Sequence, residues 1–297
     1  MKSIVLIALA GLGYSTLPIF SVALNDYGVG TWAQVLMRLV LMTVFLAIVT
    51  IRLRPAIDRR QRFFFFMNGF FIFAGFVTYL LSLELGTPPA KAILLVYIYP
   101  IFTILVGGFL LHEPMTPPKI VAVAVGVVGV ALTFEFWKIE SLTEFKSGDI
   151  LALLNGILAG SIVLVGRYAH QHQPPFVTLL WSFIYALVWL TAVSIFFTVT
   201  AGFGEVLDAV TFTLSPASIF FLLGMVICGT ILPYLFLYTG LKHVPSGTAS
   251  VLMLLEPVGV FVLSAIFLRQ TIGLWQLIGG AAILGAGLIA SARAAAG

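Results

Sequence analysis

Glu256 stands about nine residues inside a long apolar run, directly before Pro257. At 1.5 Å of rise per residue that is roughly 14 Å into a hydrocarbon layer about 30 Å thick. A carboxylate at such depth is costly and faces a cavity or a partner. Two readings stand open. In one, Glu256 holds a substrate ammonium group or takes a transported proton. In the other, it satisfies backbone donors loosened by Pro257, or pairs with Arg38 to fix two helices. Tyr97 and Tyr99 flank the corresponding depth of an earlier run, beside Pro100. Tyrosine combines an apolar face with one hydroxyl, which suits a ligand with aromatic bulk and a polar head. Two positions apart on a helix, the pair points to different sides, so one of them is expected to line a cavity. Tyr79, and Tyr234 and Tyr238 near Pro233, are further candidates, set against the tyrosines that gather in interfacial belts. Tyr14 and Ser15 lie in a small, polar patch ending in Pro18, and Asn155 and Ser161 lie in another with Gly156 and Gly160. Such patches are either cavity wall or close-packing surface.

The rest of the chemistry is sparse. The histidines at 112, 170, 172 and 243 fall at helix ends, without the paired helical motif of a zinc site. No G-x-S-x-G elbow occurs, and no two acids share a mid-span position. The single cysteine, Cys228, excludes an internal disulfide and a multi-thiolate metal site, and reads as apolar packing. An enzyme, a metal site and a cofactor are therefore not expected. Arg38 lies some seven residues inside its run, where snorkelling or an internal partner is favoured over a bound carboxylate. Lys91, His112 and Glu113 fall near helix ends and read as interfacial.

These residues are positioned by a chain of 297 residues that is 61% hydrophobic and 9% charged. A soluble domain carries roughly a quarter charged residues, so the solvent here is lipid. Apolar stretches near the roughly 20 residues needed to span cover about 3–24, 31–52, 63–83, 90–111 and 118–136, then 149–168, 176–199, 216–238, 247–268 and 274–292. Proline, glycine and asparagine mark short connections between them, and the two longer ones, 137–148 and 200–215, have room for a short surface helix. Lys2 and the first run resemble a signal peptide, but the run is longer than an h-region and is expected to stay as a helix. With the N-terminus inside, inner connections hold ten Lys and Arg and outer ones four, so both termini are expected to be cytoplasmic. The arginines at 52, 54, 59, 60 and 62 dominate that count and read as a membrane-edge anchor rather than a nucleic-acid site.

A shift of 157 positions superimposes Pro88 on Pro245, Ala92 on Ala249, Leu95 on Leu252, Pro100 on Pro257 and Ala124 on Ala281. The resulting fold is an all-α integral membrane protein of ten transmembrane helices, as two inverted five-helix repeats over 1–140 and 141–297. Five helices per copy force the second copy to enter upside down, and two broken helices at matching depth point to one midplane site. Pro18, Pro100, Pro233 and Pro257 are the expected helix breaks and gating points. Glycine-rich runs in the fifth and tenth helices suggest scaffold or a dimer contact, consistent with a monomer or weak homodimer.

Ten spans in two repeats, Arg38 early in the second helix, Tyr99-Pro100, Glu256-Pro257 and Leu111-His112-Glu113 together resemble the drug/metabolite transporter superfamily, EamA type. More narrowly, the chain is similar to the bacterial inner-membrane exporter of aromatic amino acids in that group. The resemblance implies a multi-pass carrier in the bacterial inner membrane, proton-coupled or facilitated, that exports amino acids and related metabolites through a central cavity. The second repeat departs from the pattern, with Arg269-Gln270 where the first has His112-Glu113. The scarcity of buried cations argues against polyanionic cargo. A small substrate with apolar bulk fits, aromatic amino acids first and hydrophobic cations, with Glu256 as counter-charge, as the alternative.

Overall fold

The computed structural model describes residues 2–51, 57, 59–87, 89–138, 146–169, 173–201, 210, 212–213, 215–267 and 273–294. Among them every regular element is helical. Eight helical rods are long and apolar enough to cross a membrane. Two shorter apolar helices, Pro117–Thr133 and Leu274–Ala290, stand where the fifth and tenth spans are expected. Pro88, the arginines at 52 and 54, His170, His172, Arg269, Gln270 and the 140/141 boundary lie outside the described residues, as does most of both longer connections. Of the first connection, Phe136–Lys138 forms a 3-10 turn.

Four rods are interrupted. The first divides into α1 (Lys2–Tyr14) and α2 (Leu17–Asp26). Undivided α3 (Thr31–Thr50) and α4 (Arg59–Glu84) follow. The next is α5 (Pro89–Val96) and α6 (Tyr99–Leu110), then α7 (Pro117–Thr133), α8 (Ser147–Ala169) and α9 (Pro175–Ala201). A third interruption separates α10 (Pro216–Val226) from α11 (Leu232–Leu241), and a fourth separates α12 (Ser246–Leu252) from α13 (Leu255–Phe267); α14 (Leu274–Ala294) ends the bundle. Each interruption falls just before one of the four prolines at 18, 100, 233 and 257, whose missing N–H releases the carbonyl four residues back. Before Pro233 the chain takes a π turn over Ile227–Ile231 instead of opening fully.

The internal repeat is visible in how these breaks are packed. A β-carbon on Gly156 of α8 would lie 2.7 Å from the carbonyl oxygen of Val96, the one released by Pro100. A β-carbon on Gly11 of α1 would lie 3.3 Å from the carbonyl oxygen of Met253, the one released by Pro257. One turn later, Gly160 rests against Phe102 and Thr103, while Ser15 rests against Gly259. The same two contacts thus occur twice between the halves, with the partners exchanged. Small residues are needed here because two helix backbones meet at their broken points. The two small-residue patches are therefore packing surfaces around the breaks.

Helices α7 and α14 cross at Gly129 and Gly279, whose backbones come within van der Waals contact. Their small faces are used within one chain, as scaffold. Around the outside, Phe109 and Val199 are 82% and 80% exposed, along with many other large apolar side chains, as a lipid-facing surface requires.

Polar ties hold the ends of the bundle. Lys91, expected to be interfacial, is 3% exposed and pairs with Asp149 at 2.7 Å. Thr87 Oγ1 donates to the same carboxylate at 2.9 Å and the Lys146 N–H at 2.8 Å. Charges 58 residues apart thus bind α5 to the first turn of α8. The pair is covered but shallow in the bundle, so Asp149→Ala is expected to cost about 3 kcal/mol, the lower end for a broken buried pair. The loss is read as a lowered thermal midpoint of the detergent-solubilised protein, and an unchanged midpoint would contradict it. At another end, Leu111-His112-Glu113 makes a clasp. His112 turns the chain at φ +53°, and Glu113 accepts the Ser246 N–H and hydroxyl, both at 2.9 Å. Arg167 Nε stands 3.6 Å from that carboxylate, and its Nη1 donates to the Leu241 and Lys242 carbonyls at 2.6 and 2.7 Å. Glu113 therefore caps α12 while Arg167 caps α11.

Candidate functional site

Glu256 occupies the first turn of α13, immediately after the break in its rod. It is deep within the bundle, yet its side chain is only half-buried. It therefore keeps some accessible surface although helices enclose it. Tyr97, Tyr79 of α4 and Tyr99 of α6 all lie close enough to feel its charge. Tyr97 and Tyr99 do not part to opposite sides as helical spacing predicts. The chain between them is the break itself, so the spacing rule lapses, and their rings stand 6.1 Å apart. The Tyr99 hydroxyl also donates to the Ser250 carbonyl at 3.2 Å, tying α6 to α12.

Arg38 of α3 forms the other side. Of the two expectations for it, the internal partner holds and the outward reach does not. Its Nε donates to Thr230 Oγ1 at 2.9 Å, and its Cζ lies 4.6 Å above the Phe76 ring. Thr230 is presented by the π turn before Pro233, a shape frequently found at functional sites. Tyr14 and Tyr234 meet edge-to-face at 5.5 Å and lie within the field of Arg38. Arg38 and Glu256 also act on each other's charge, but no ion pair joins them among the described residues. The alternative in which they pair directly is thereby corrected.

Other expected site residues lie elsewhere. Asn155, whose patch reads as either cavity wall or packing surface, donates its amide to the Gly75 carbonyl and to Thr78 Oγ1, binding α8 to α4. Ser15 is 1% exposed, bonded to the Leu12 carbonyl and packed on Gly259. Ser161 returns its hydroxyl to Ile157 of its own helix. Tyr238 is fully buried beside Tyr234, accepting from Asn68 at 2.8 Å, and Asn68 also reaches Ser182 at 2.8 Å. Sequence reasoning missed Thr230, Phe76 and Asn68, and gave Arg38 an internal partner without naming it. Pro233 was the available signal for Thr230, since a mid-helix proline loosens the turn that presents it.

The chain matches the EamA-like transporter family over residues 1–135 and 146–292. It belongs to that family. It is 25% identical over 222 residues to an uncharacterized transporter of Archaeoglobus fulgidus, covering 74% of this chain and 73% of that protein. It is 24% identical over 222 residues to the uncharacterized transporter YxxF of Bacillus subtilis, covering 72% and 67%. A protein crystal structure with 16% identity has the same fold, at a TM-score of 0.80 over 98% of this chain and 97% of that one.

For an EamA-like transporter, the arrangement has a direct chemical meaning. Each half contributes two interrupted rods, and the side chains gathered around Arg38 and Glu256 come from both halves: Tyr79, Tyr97 and Arg38 from the first, Tyr234 and Glu256 from the second. What the site offers is one acid, one guanidinium and several aromatic faces. These groups bind and orient; they include no nucleophile paired with a base and, among the described residues, no cluster of metal ligands.

Proposed function

We propose that this EamA-like transporter exports aromatic and other hydrophobic amino acids, with related small metabolites, across the bacterial inner membrane. One observation carries the reading: Glu256, accessible at depth, faces tyrosines donated by the opposite repeat. In this reading Tyr79, Tyr97, Tyr99, Tyr14 and Tyr234 receive the cargo's apolar side, and the acid receives its ammonium group. Tyr238 braces Tyr234 from behind, and Asn155, Ser15 and Ser161 act as packing around the breaks. The breaks before Pro18, Pro100, Pro233 and Pro257 are the points at which each half flexes as access alternates. The inward bias of Lys and Arg supports cytoplasmic termini.

A second reading is export of hydrophobic cations. It is favoured by one feature, that among the described residues no cation pairs with Glu256. Proteoliposomes preloaded with unlabelled solute and offered labelled phenylalanine, tryptophan or tetraphenylphosphonium decide between them. Saturable counterflow of both amino acids is expected. Movement of the cation alone would favour the second reading, and ohmic currents would contradict a carrier.

A further inference from the structure

Arg38 and Glu256 present an electrostatic problem that the fold has left unsolved. In a poorly screened interior, opposite unit charges about 4 Å apart attract by roughly 4 kcal/mol even at an effective dielectric of 20. Two long side chains in the same bundle should therefore collapse together. No ion pair joins them among the described residues. Thr230 takes the Arg38 Nε–H, and Phe76 lies under its plane. Tyr97 lies near the Glu256 carboxylate. The two terminal amino groups of Arg38 have no protein partner among the described residues, and they are not among the buried polar atoms left unsatisfied. The Glu256 carboxylate likewise has no ion-pair partner among the described residues and is absent from those buried, unsatisfied atoms. Both residues thus keep some accessible surface deep in the bundle, with Tyr14 and Tyr234 near Arg38 and Tyr79 and Tyr97 near Glu256.

We propose that Arg38 and Glu256 form the two ends of a zwitterion receptor. The Arg38 terminal nitrogens take the α-carboxylate of one amino acid, and Glu256 takes its α-ammonium group. The inference rests on the reading that cargo binds between the halves at Glu256, and it deepens it by requiring both charges on one small molecule. A guanidinium whose Nε is already committed offers its paired terminal N–H groups end-on to a carboxylate, geometry that a lysine ammonium does not reproduce. Bridging the pair with a zwitterion leaves neither charge unpaired. A ligand lacking one group leaves its receptor charge desolvated without a partner, which is the costly case.

The test is inhibition of labelled-phenylalanine counterflow by unlabelled phenylalanine, phenethylamine and 3-phenylpropionate, in proteoliposomes of the full chain. For the unaltered protein, half-inhibition by either truncated analogue is expected to need about tenfold or more the concentration of phenylalanine. Arg38→Gln is expected to raise the KM for phenylalanine about thirtyfold while leaving inhibition by phenethylamine unchanged, so that selectivity between the two collapses. Arg38→Lys recovers part of the loss. A merely structural arginine would weaken both ligands together, and that result would overturn the proposal. Phenylalanine carriage inhibited equally well by phenethylamine would overturn it too, while leaving the proposed function intact. Counterflow of phenethylamine without phenylalanine would overturn both. Should Arg38→Gln not fold, the analogue series on the unaltered protein decides alone.

Discussion

Glu256→Gln is expected to reduce counterflow of phenylalanine by about two orders of magnitude while the protein still folds. The size follows from what remains. Truncating one partner of a buried, charged hydrogen bond costs about 2–5 kcal/mol, or roughly thirtyfold to several thousandfold in affinity. Glutamine keeps the volume and shape of the side chain, so the packing at the α12–α13 break is preserved. Because no ion pair joins Glu256 to another described residue, its neutralisation orphans no close partner. A thermal midpoint within a few degrees of the unaltered protein, together with the transport loss, is the expected signature. Full transport by Glu256→Gln would remove the acid from the mechanism.

The second large effect concerns backbone approach at the breaks. Gly156→Leu is expected to abolish recovery of folded protein, and Gly156→Ala to cost about 1–3 kcal/mol. Its β-carbon would sit 2.7 Å from the Val96 carbonyl oxygen and 3.2 Å from Ile98 Cγ1. The first neighbour is backbone, which cannot swing aside, so α8 and α5 must separate. Separation would also strain the hydrogen bonds that the Asn155 side chain, one residue away, donates to Gly75 and Thr78. The pseudo-symmetric Gly11 meets the Met253 carbonyl at the looser distance of 3.3 Å. Gly11→Ala is therefore expected to cost less than Gly156→Ala, and thermal midpoints of the two variants compare them directly. Equal midpoints would contradict the packing account.

Much of this was legible in the sequence. Prolines deep in apolar runs have few structural meanings, and each of the four marks a break. Glu256 stood out because lipid penalises an unneeded acid. What stayed hidden depended on contacts between distant residues. Nothing local distinguishes Lys91 and Asp149 from interfacial charges, because their pairing needs α5 and α8 to meet. Arg38 was placed at the right depth, but its partner Thr230 is 192 residues away and is presented by a π turn. Tyr97 and Tyr99 were misjudged for a more instructive reason. Helical spacing was applied across the very residues where the helix stops.

The central claim is that the two halves enclose one water-filled site occupied by cargo. It is tested most directly by placing a thiol there. In a chain whose sole cysteine is replaced, Cys228→Ser, the change Tyr79→Cys puts a reactive group opposite Glu256. The account predicts modification by a small, charged, membrane-impermeant methanethiosulfonate, slowed by phenylalanine in a concentration-dependent manner. A thiol that never reacts, or that reacts at the same rate with and without phenylalanine, would contradict it.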